Sequence, residues 1–305
     1  MFSEQPSSVG ADDSVEMHSR SGNHLPVMAD EICDFMAEGG QIRLLVDGTA
    51  GGGGHIAALL DTLPETELFG VDRDPAAAAL VEKRFTGVER VRVRAASYTG
   101  IPLLLEELGL GLADAVLFDL GFSSLQLDDP DRGFAHGRDG LLDMRYDRSS
   151  DAPTAADLVN HLSRSELADI IFRYGEEGRS RRIADEIVRR RPLQTTGQLA
   201  EAVSAAVRGH RVKVLSRVFQ GIRISVNKEL EELEKLLAGL QSWTAPGCRA
   251  AFITFHSIED RMVKLFFRDS AEFRVTSPPW MVAGQEERRM NSRARSARLR
   301  TGVRL

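Results

Sequence analysis

Cysteine is scarce in this 305-residue chain: Cys33 and Cys248 are the only two. They form no metal-ligand spacing and allow at most one disulfide, so a reduced, cytoplasmic protein is the simpler expectation. No apolar run approaches the ~20 residues that a membrane span needs. The polar, acidic opening MFSEQPSSVGADDSVEMHSR holds no apolar signal core, and residues 1–22 are expected to be a disordered tail. Aromatic residues make up only 6%, yet 42% hydrophobic content suffices for a globular core, in two domains or in one with an insertion. No Gly-Lys-Ser/Thr closes the glycine-rich turn near residue 50, which excludes a P-loop.

That turn is the most informative feature present. Leu44, Leu45 and Val46 end in Asp47, which opens the run Gly48-Thr-Ala-Gly-Gly-Gly-Gly54-His55. A strand entering a helix through glycines lets a ligand approach the main chain, because no Cβ intervenes. The dinucleotide pattern G-x-G-x-x-G/A begins at Gly51 and Gly53 but fails at Ile56. A carboxylate before the glycines repels a pyrophosphate and suits an ammonium group. The next apolar segment, Leu68 to Val71, ends in Asp72, where an acid typically accepts ribose hydroxyls. An amino acid at one end and a ribose at the other describe S-adenosylmethionine.

Apolar runs alternate with helical patterns up to residue 119: strands at 43–47, 67–71, 91–93 and 115–118, helices at 54–61, 75–84 and 101–108. Asp74 caps the second helix and Pro75 opens it. This alternation predicts an α/β fold with a doubly wound, mostly parallel Rossmann-like sheet. Helical patterns follow at 155–162, 165–173, 179–190 and 196–207, the last with a Thr195/Gln198 capping box. A long amphipathic helix is expected over 217–240. The sheet then resumes at Ala250–Phe255, Ser257 and Asp260 box the next helix, and 273–275 and 297–303 close the sheet as edge strands. The division expected is a methyltransferase domain of 23–127 and 216–305, with an inserted helical substrate-recognition domain of 128–215.

The net charge of −6 argues against nucleic acid until its segregation is seen. Residues 208–223 hold Arg208, Arg211, Lys213, Arg217 and Arg223 without an acid, and residues 288–305 hold seven arginines without one, among them Arg293, Arg295 and Arg298. Two such stripes in an acidic chain point to RNA or DNA.

Chemistry in an open α/β sheet gathers beyond the carboxyl ends of its strands. That selects the segments Asp47 to His55, Asp72, Ser97-Tyr98, Asp119 to Gln126 and His256-Ser257, with Asp47 and Asp72 facing a donor's ammonium and ribose, Tyr98 able to stack on adenine and Gln126 either bonding adenine or closing a turn. Asp119 also lies beside the reacting end, and His256 follows a strand end. The acids of 128–147 lack EF-hand spacing and are expected to form turns, with no required metal.

Several segments in order make the pattern specific: His24-Leu-Pro-Val-Met, Asp47 to His55, Asp119-Leu-Gly-Phe-Ser-Ser-Leu-Gln126, Arg132-Gly-Phe, Arg138 to Arg145, Phe219-Gln-Gly-Ile-Arg-Ile-Ser-Val-Asn227-Lys-Glu-Leu, Phe255-His-Ser-Ile-Glu-Asp-Arg261 and Asn291-Ser-Arg-Ala-Arg-Ser-Ala. Together, over residues 24–305, they resemble the ribosomal RNA small-subunit methyltransferase H family. The resemblance implies S-adenosylmethionine-dependent methylation of the exocyclic N4 of one cytidine in the decoding region of 16S rRNA, within the small ribosomal subunit. It implies cofactor contacts at Gly53, Gly54, His55, Asp72, Tyr98, Asp119 and Gln126, and it brings Asp143, Asn227 and His256 to the pocket as further candidates, beside Asp119, to accept the N4 proton. Oligomeric state, monomer or homodimer, stays open.

Other readings stand beside this one. Ser277-Pro278-Pro279-Trp280 copies a motif of DNA cytosine-N4 methyltransferases, but it follows an edge strand, roughly 19 Å from the methyl donor at ~4.8 Å per strand. A DNA amino-methyltransferase and a non-catalytic ribosome-assembly RNA-binding protein are the alternatives. Pyrimidine C5 methylation needs a cysteine nucleophile, and both cysteines lie before strands.

Overall fold

The computed structural model describes residues 26–207, 209–276 and 278–305. The expected tail 1–22, together with His24, Arg208 and Ser277, lies outside the described residues.

Seven strands form one sheet: β1 (Leu44–Asp47), β2 (Glu67–Asp72), β3 (Val91–Ala95), β4 (Ala113–Asp119), β5 (Thr244–Thr254), β6 (Phe273–Val275) and β7 (Arg298–Arg304). Their order is β3-β2-β1-β4-β5-β7-β6. The first five run parallel, and β7 is antiparallel to both β5 and β6. The order reverses between β1 and β4, which opens a crevice at the carboxyl ends of the central strands. The two late segments were expected as edges, but only β6 is one; β7 inserts between β5 and β6, pairing with β5 over 298–303 and with β6 over 302–304.

Helices cover both faces, as a parallel sheet requires. Side chains along β1 alternate between them. Leu45 joins a core built with α1 (Ala29–Ala37), α2 (Gly54–Thr62) and α3 (Pro75–Arg84). Leu44 and Val46 join the opposite core, built with α4 (Ile101–Glu107) and the later helices α11 (Glu229–Trp243) and α12 (Ser257–Asp269). Asp74 caps α3 through the Ala76 amide, with Pro75 at its first turn, as the sequence predicts.

After β4 come α5 (Ser124–Asp128), α6 (Ala155–His161), α7 (Arg164–Arg173), α8 (Ser180–Arg189), α9 (Thr196–Ala206) and α10 (Arg211–Asn227). The capping box of Thr195 and Gln198 forms. Residues from Leu142 to Val226 make a third core of their own. It includes Val214, Val218, Phe219 and Ile222, so α10 carries the insert's packing on beyond residue 215. The acids of the loop before it form turns: Asp129, Asp143 and Asp147 each accept a main-chain N–H two residues on. The last helix, α13 (Gln285–Met290), precedes β7.

Two expectations about helices need correction. The single helix over 217–240 is two, α10 and α11, broken at Lys228 with φ +53°. The apolar pattern continues through the break, so periodicity cannot reveal it. The contacts that hold it are remote in sequence: Arg73 Nη1 donates to the Asn227 carbonyl at 2.7 Å, and Asn227 Oδ1 accepts from the Tyr146 amide at 2.8 Å. Secondly, Ser257 and Asp260 do not box α12. Its cap is His256, whose Nδ1 accepts from the Glu259 amide. Ser257 bonds Glu176 on the insert, and Asp260 takes Arg298 and Arg300.

Candidate active site

The crevice at the switch point is a cavity of about 810 Å³. The tip of β1 enters it as a glycine turn, with Gly51 at φ +51° and Gly53 at φ +74°. A Cβ on Gly52 would meet only open space, so the main chain there faces the cavity bare. At Gly53 a Cβ would come within 2.9 Å of the Phe85 ring. Gly53 therefore shapes the turn from behind, and it does not line the cavity, whereas Gly54 does. His55 lines it too, its Nε2 3.0 Å from the Val27 carbonyl.

Asp72 ends β2 in the cavity wall. Its Oδ2 accepts from the Gly51 amide at 2.7 Å and its Oδ1 from the Asp74 amide at 2.8 Å, so it ties two strand tips together. Burial lifts it to about 6. Asp47 is 1% exposed and sits behind the wall rather than in it. Its Oδ1 accepts from Thr49 N and Thr49 Oγ1, while its Oδ2 has no partner among the described residues. Burial raises Asp47 to about 6 as well, against the opposing charge of His55.

Asp119 ends β4 on the other side of the crevice. Its amide donates to Thr49 Oγ1 at 2.6 Å, so Thr49 bridges the tips of β1 and β4. Asp119 Oδ1 is buried without a partner among the described residues. Burial raises this carboxyl, and the charges of Arg293 and His55 only partly offset that. Tyr98 lines the cavity with its ring edge-on to Phe118 at 5.9 Å. Gln126 lines it with an amide already engaged: Oε1 accepts from Ser123 N, closing a capping box, and Nε2 donates to Asp74 Oδ2. Arg132 Nη1 reaches the same Asp74 oxygen at 2.6 Å, which locks the insert's first loop to α3.

The remaining candidates lie outside the cavity wall. Asp143 pairs with Arg145 and Arg148, which hold it below the usual carboxylate range against the opposing effect of burial. Asn227 spends its side chain on Tyr146 N, Met144 O and Arg223 O. His256 Nε2 lies 3.0 Å from Glu259 Oε1. Glu229, His256 and Glu259 bring ligand atoms within 4.8 Å of one another, but both oxygens of Glu229 are held by Arg223 at 2.8 Å.

Of the predicted RNA contacts, Arg211 and Lys213 are exposed, and Arg217 faces Glu177 at 3.5 Å. Arg295 and Arg298 are exposed, while Arg293 lines the cavity itself, donating to Phe122 O and Ser124 Oγ. Not every stripe arginine faces outward: Arg223 and Arg300 are buried in ion pairs with Glu229 and Asp260. Phe122 lies in the selected run Asp119 to Gln126, but sequence reasoning missed Tyr146, Glu229 and Glu232 as wall residues. Tyr146 immediately follows the Arg138–Arg145 motif, and that adjacency was the only available signal.

The model of the MraW methylase family matches residues 21–304. The chain belongs to the MraW methylase family. A relative from Synechococcus sp. (strain JA-2-3B'a(2-13)), named ribosomal RNA small subunit methyltransferase H, is 44% identical over 92% of this chain and 92% of its own. One of the same name from Thermotoga neapolitana is 42% identical over 91% of this chain and 94% of its own. Among solved structures, an rRNA methylase from Streptococcus thermophilus is 13% identical, with a TM-score of 0.42 over 90% of this chain and 95% of its own. As a MraW methylase the chain is an S-adenosylmethionine-dependent methyltransferase. The cavity suits that donor: a bare glycine turn beside the Asp72 and Asp119 carboxylates, the latter with an oxygen that has no partner among the described residues, fits a ligand carrying an amino acid and a ribose. Among the described residues no helix is long and apolar enough to cross a membrane.

Proposed function

We propose that this MraW methylase transfers a methyl group to the exocyclic N4 of a cytidine in the decoding region of 16S rRNA, within the small ribosomal subunit. This reading puts its work in the cytoplasm. Asp119 carries the reading: a carboxylate in the cavity wall whose Oδ1 is buried and unpartnered among the described residues. An exocyclic amine brings two N–H donors, and such an oxygen is the complement they need.

S-adenosylmethionine, when bound, supplies an electrophilic methyl carbon. Gly54, His55, Asp72, Tyr98 and Gln126 line the part of the cavity that would hold it. The N4 lone pair is delocalised into the ring, so the amine is a poor nucleophile. Asp119 accepting an N4 hydrogen draws that lone pair out of conjugation and aims it. Because burial raises the Asp119 carboxyl, it can also take the proton that N4 must lose. The target base must leave its stack to reach this depth, so an open loop of assembled RNA is the expected substrate. Arg211, Lys213, Arg217, Arg295 and Arg298 then hold phosphates outside, with Arg293 at the cavity wall itself.

Tritiated methyl transfer to undermethylated small subunits, followed by nucleoside analysis, tests the reading. Label in N4-methylcytidine is expected. Label only in DNA, or binding of subunits without label, would overturn it.

A further inference from the structure

The turn after β6 has no part in the site described above, yet it is held firmly and leaves a tryptophan outside. Met281 doubles back to bridge Leu299 of β7, with N–H···O distances of 2.9 and 3.0 Å. Leu299 pairs with Ile253, and Ile253 with Asp119. Asp119, Ile253, Leu299 and Met281 therefore lie in one row across the sheet. Three strand spacings separate its ends, about 14 Å. Trp280 immediately precedes the far end of that row, which lies at the carboxyl end of β4, where Asp119 lines the cavity.

Its setting is built. The Arg298 guanidinium lies 5.3 Å from the Trp280 ring centroid. Asp260 holds Arg298 at 2.9 Å and accepts from Arg300 through both oxygens, and Arg300 also donates to the Pro279 carbonyl at 3.1 Å. One buried carboxylate thus fixes both the cation beside the ring and the main chain before it. Even so, Trp280 is 45% exposed, while Trp243, the other tryptophan, is 4% exposed in the core. The segment that follows the ring, 281–305, is mostly basic, with seven arginines against two acids. Arg288, Arg289 and Arg295 are exposed, and Arg293 continues the series into the cavity. Of the two acids in 281–305, Glu287 accepts from the Met28 amide at 2.9 Å and Glu286 is exposed.

We propose that Trp280, backed by Arg298, is a stacking platform for an unpaired RNA base flanking the methylated cytidine. This rests on the RNA-methylating reading above and adds to it a contact outside the cavity. An exposed indole with a guanidinium beside it takes the π face of any base, while the surrounding arginines take the phosphates. The cytidine must be unstacked to enter the cavity, so its neighbours lose a stacking partner, and Trp280 offers one.

The two tryptophans make the test direct. In a Trp243→Phe protein, Trp280 is the sole indole emitter. A short single-stranded oligoribonucleotide with the target cytidine is expected to quench it, and Trp280→Ala is expected to raise KM for small subunits about 5- to 100-fold. The loss falls on KM rather than kcat, Trp280→Phe recovers most of it, and calorimetry gives S-adenosylmethionine the wild-type affinity. If wild-type protein methylates the subunit while Trp280→Ala has the same KM and the oligonucleotide leaves Trp280 unquenched, the platform is wrong and the function stands. Quenching by intact subunits but not by naked RNA also overturns it, in favour of a protein contact. Failure of wild-type protein to methylate RNA at all would instead strike the functional reading.

Discussion

Single carboxylates govern what this pocket holds and when. Asp72 serves two main-chain amides and lines the cavity, so on the proposed reading Asp72→Ala removes a charged acceptor from the ligand. A loss of ~1.5–3 kcal/mol, about 10- to 150-fold in Kd, is expected for S-adenosylmethionine by calorimetry; wild-type affinity would refute the assignment. Asp47 and Asp72 both titrate near 6 instead of near 3.8, raised by burial. In the free protein, raised carboxyls contribute stability that is fully present below about pH 4 and is lost as pH rises through about 6. A cationic donor needs the ionised forms, so binding runs the other way. Its affinity should rise as pH climbs from about 5 to about 7, with proton release visible as a dependence of the calorimetric heat on buffer ionisation. Affinity flat across that range would show that neither carboxylate changes state on binding.

Elements meet at junctions that no local pattern announces. The α10–α11 break needs Lys228 in the left-handed region, and Asn227 stabilises it by joining Tyr146, Met144 and Arg223. Asn227 is 2% exposed. Asn227→Ala leaves the Tyr146 amide and the Met144 carbonyl without their partner, and a destabilisation of ~1–3 kcal/mol is expected in urea denaturation. Since Tyr146 lines the cavity, methyl transfer should fall along with stability. A variant as stable as wild type would mean the junction is held elsewhere. The capping boxes were easier to anticipate: Thr195 and Gln198 are three residues apart, and their bonds depend on nothing distant. Ser257 and Asp260 have equally suitable spacing, yet His256 took the cap because Arg298 and Arg300, some forty residues on, bind Asp260.

At the scale of the molecule, an acidic chain presents a basic rim. Arg288, Arg289 and Arg295 are exposed in the segment that also carries Arg293 of the cavity wall, whereas Arg300 and Arg223 are spent on buried partners. Replacing the three exposed arginines by alanine should weaken RNA binding and reduce the slope of log K against log salt by ~0.7 for each phosphate that is no longer neutralised. Filter binding across roughly 50 to 200 mM salt measures it, and an unchanged slope would remove this rim from the interface. The insert is joined to the sheet domain at several points, Arg132 to Asp74, Arg73 to the Asn227 carbonyl and Ser257 to Glu176, so the cavity draws its walls from both.

By itself the sequence determined the parallel sheet, the glycine turn, the two acid-tipped strands and the helical insert. Each rests on short-range chemistry: an apolar run, a missing Cβ, a cap three residues away. The rest belonged to the tertiary structure alone. Which strand lies at the edge, which arginines face water, where one long amphipathic pattern splits in two, and that Asp143, Asn227 and His256 stand outside the cavity wall all depend on partners tens to hundreds of residues distant. Burial decides such matters because a polar group removed from water must find whatever partner the fold brings to it, and composition does not say which one that is.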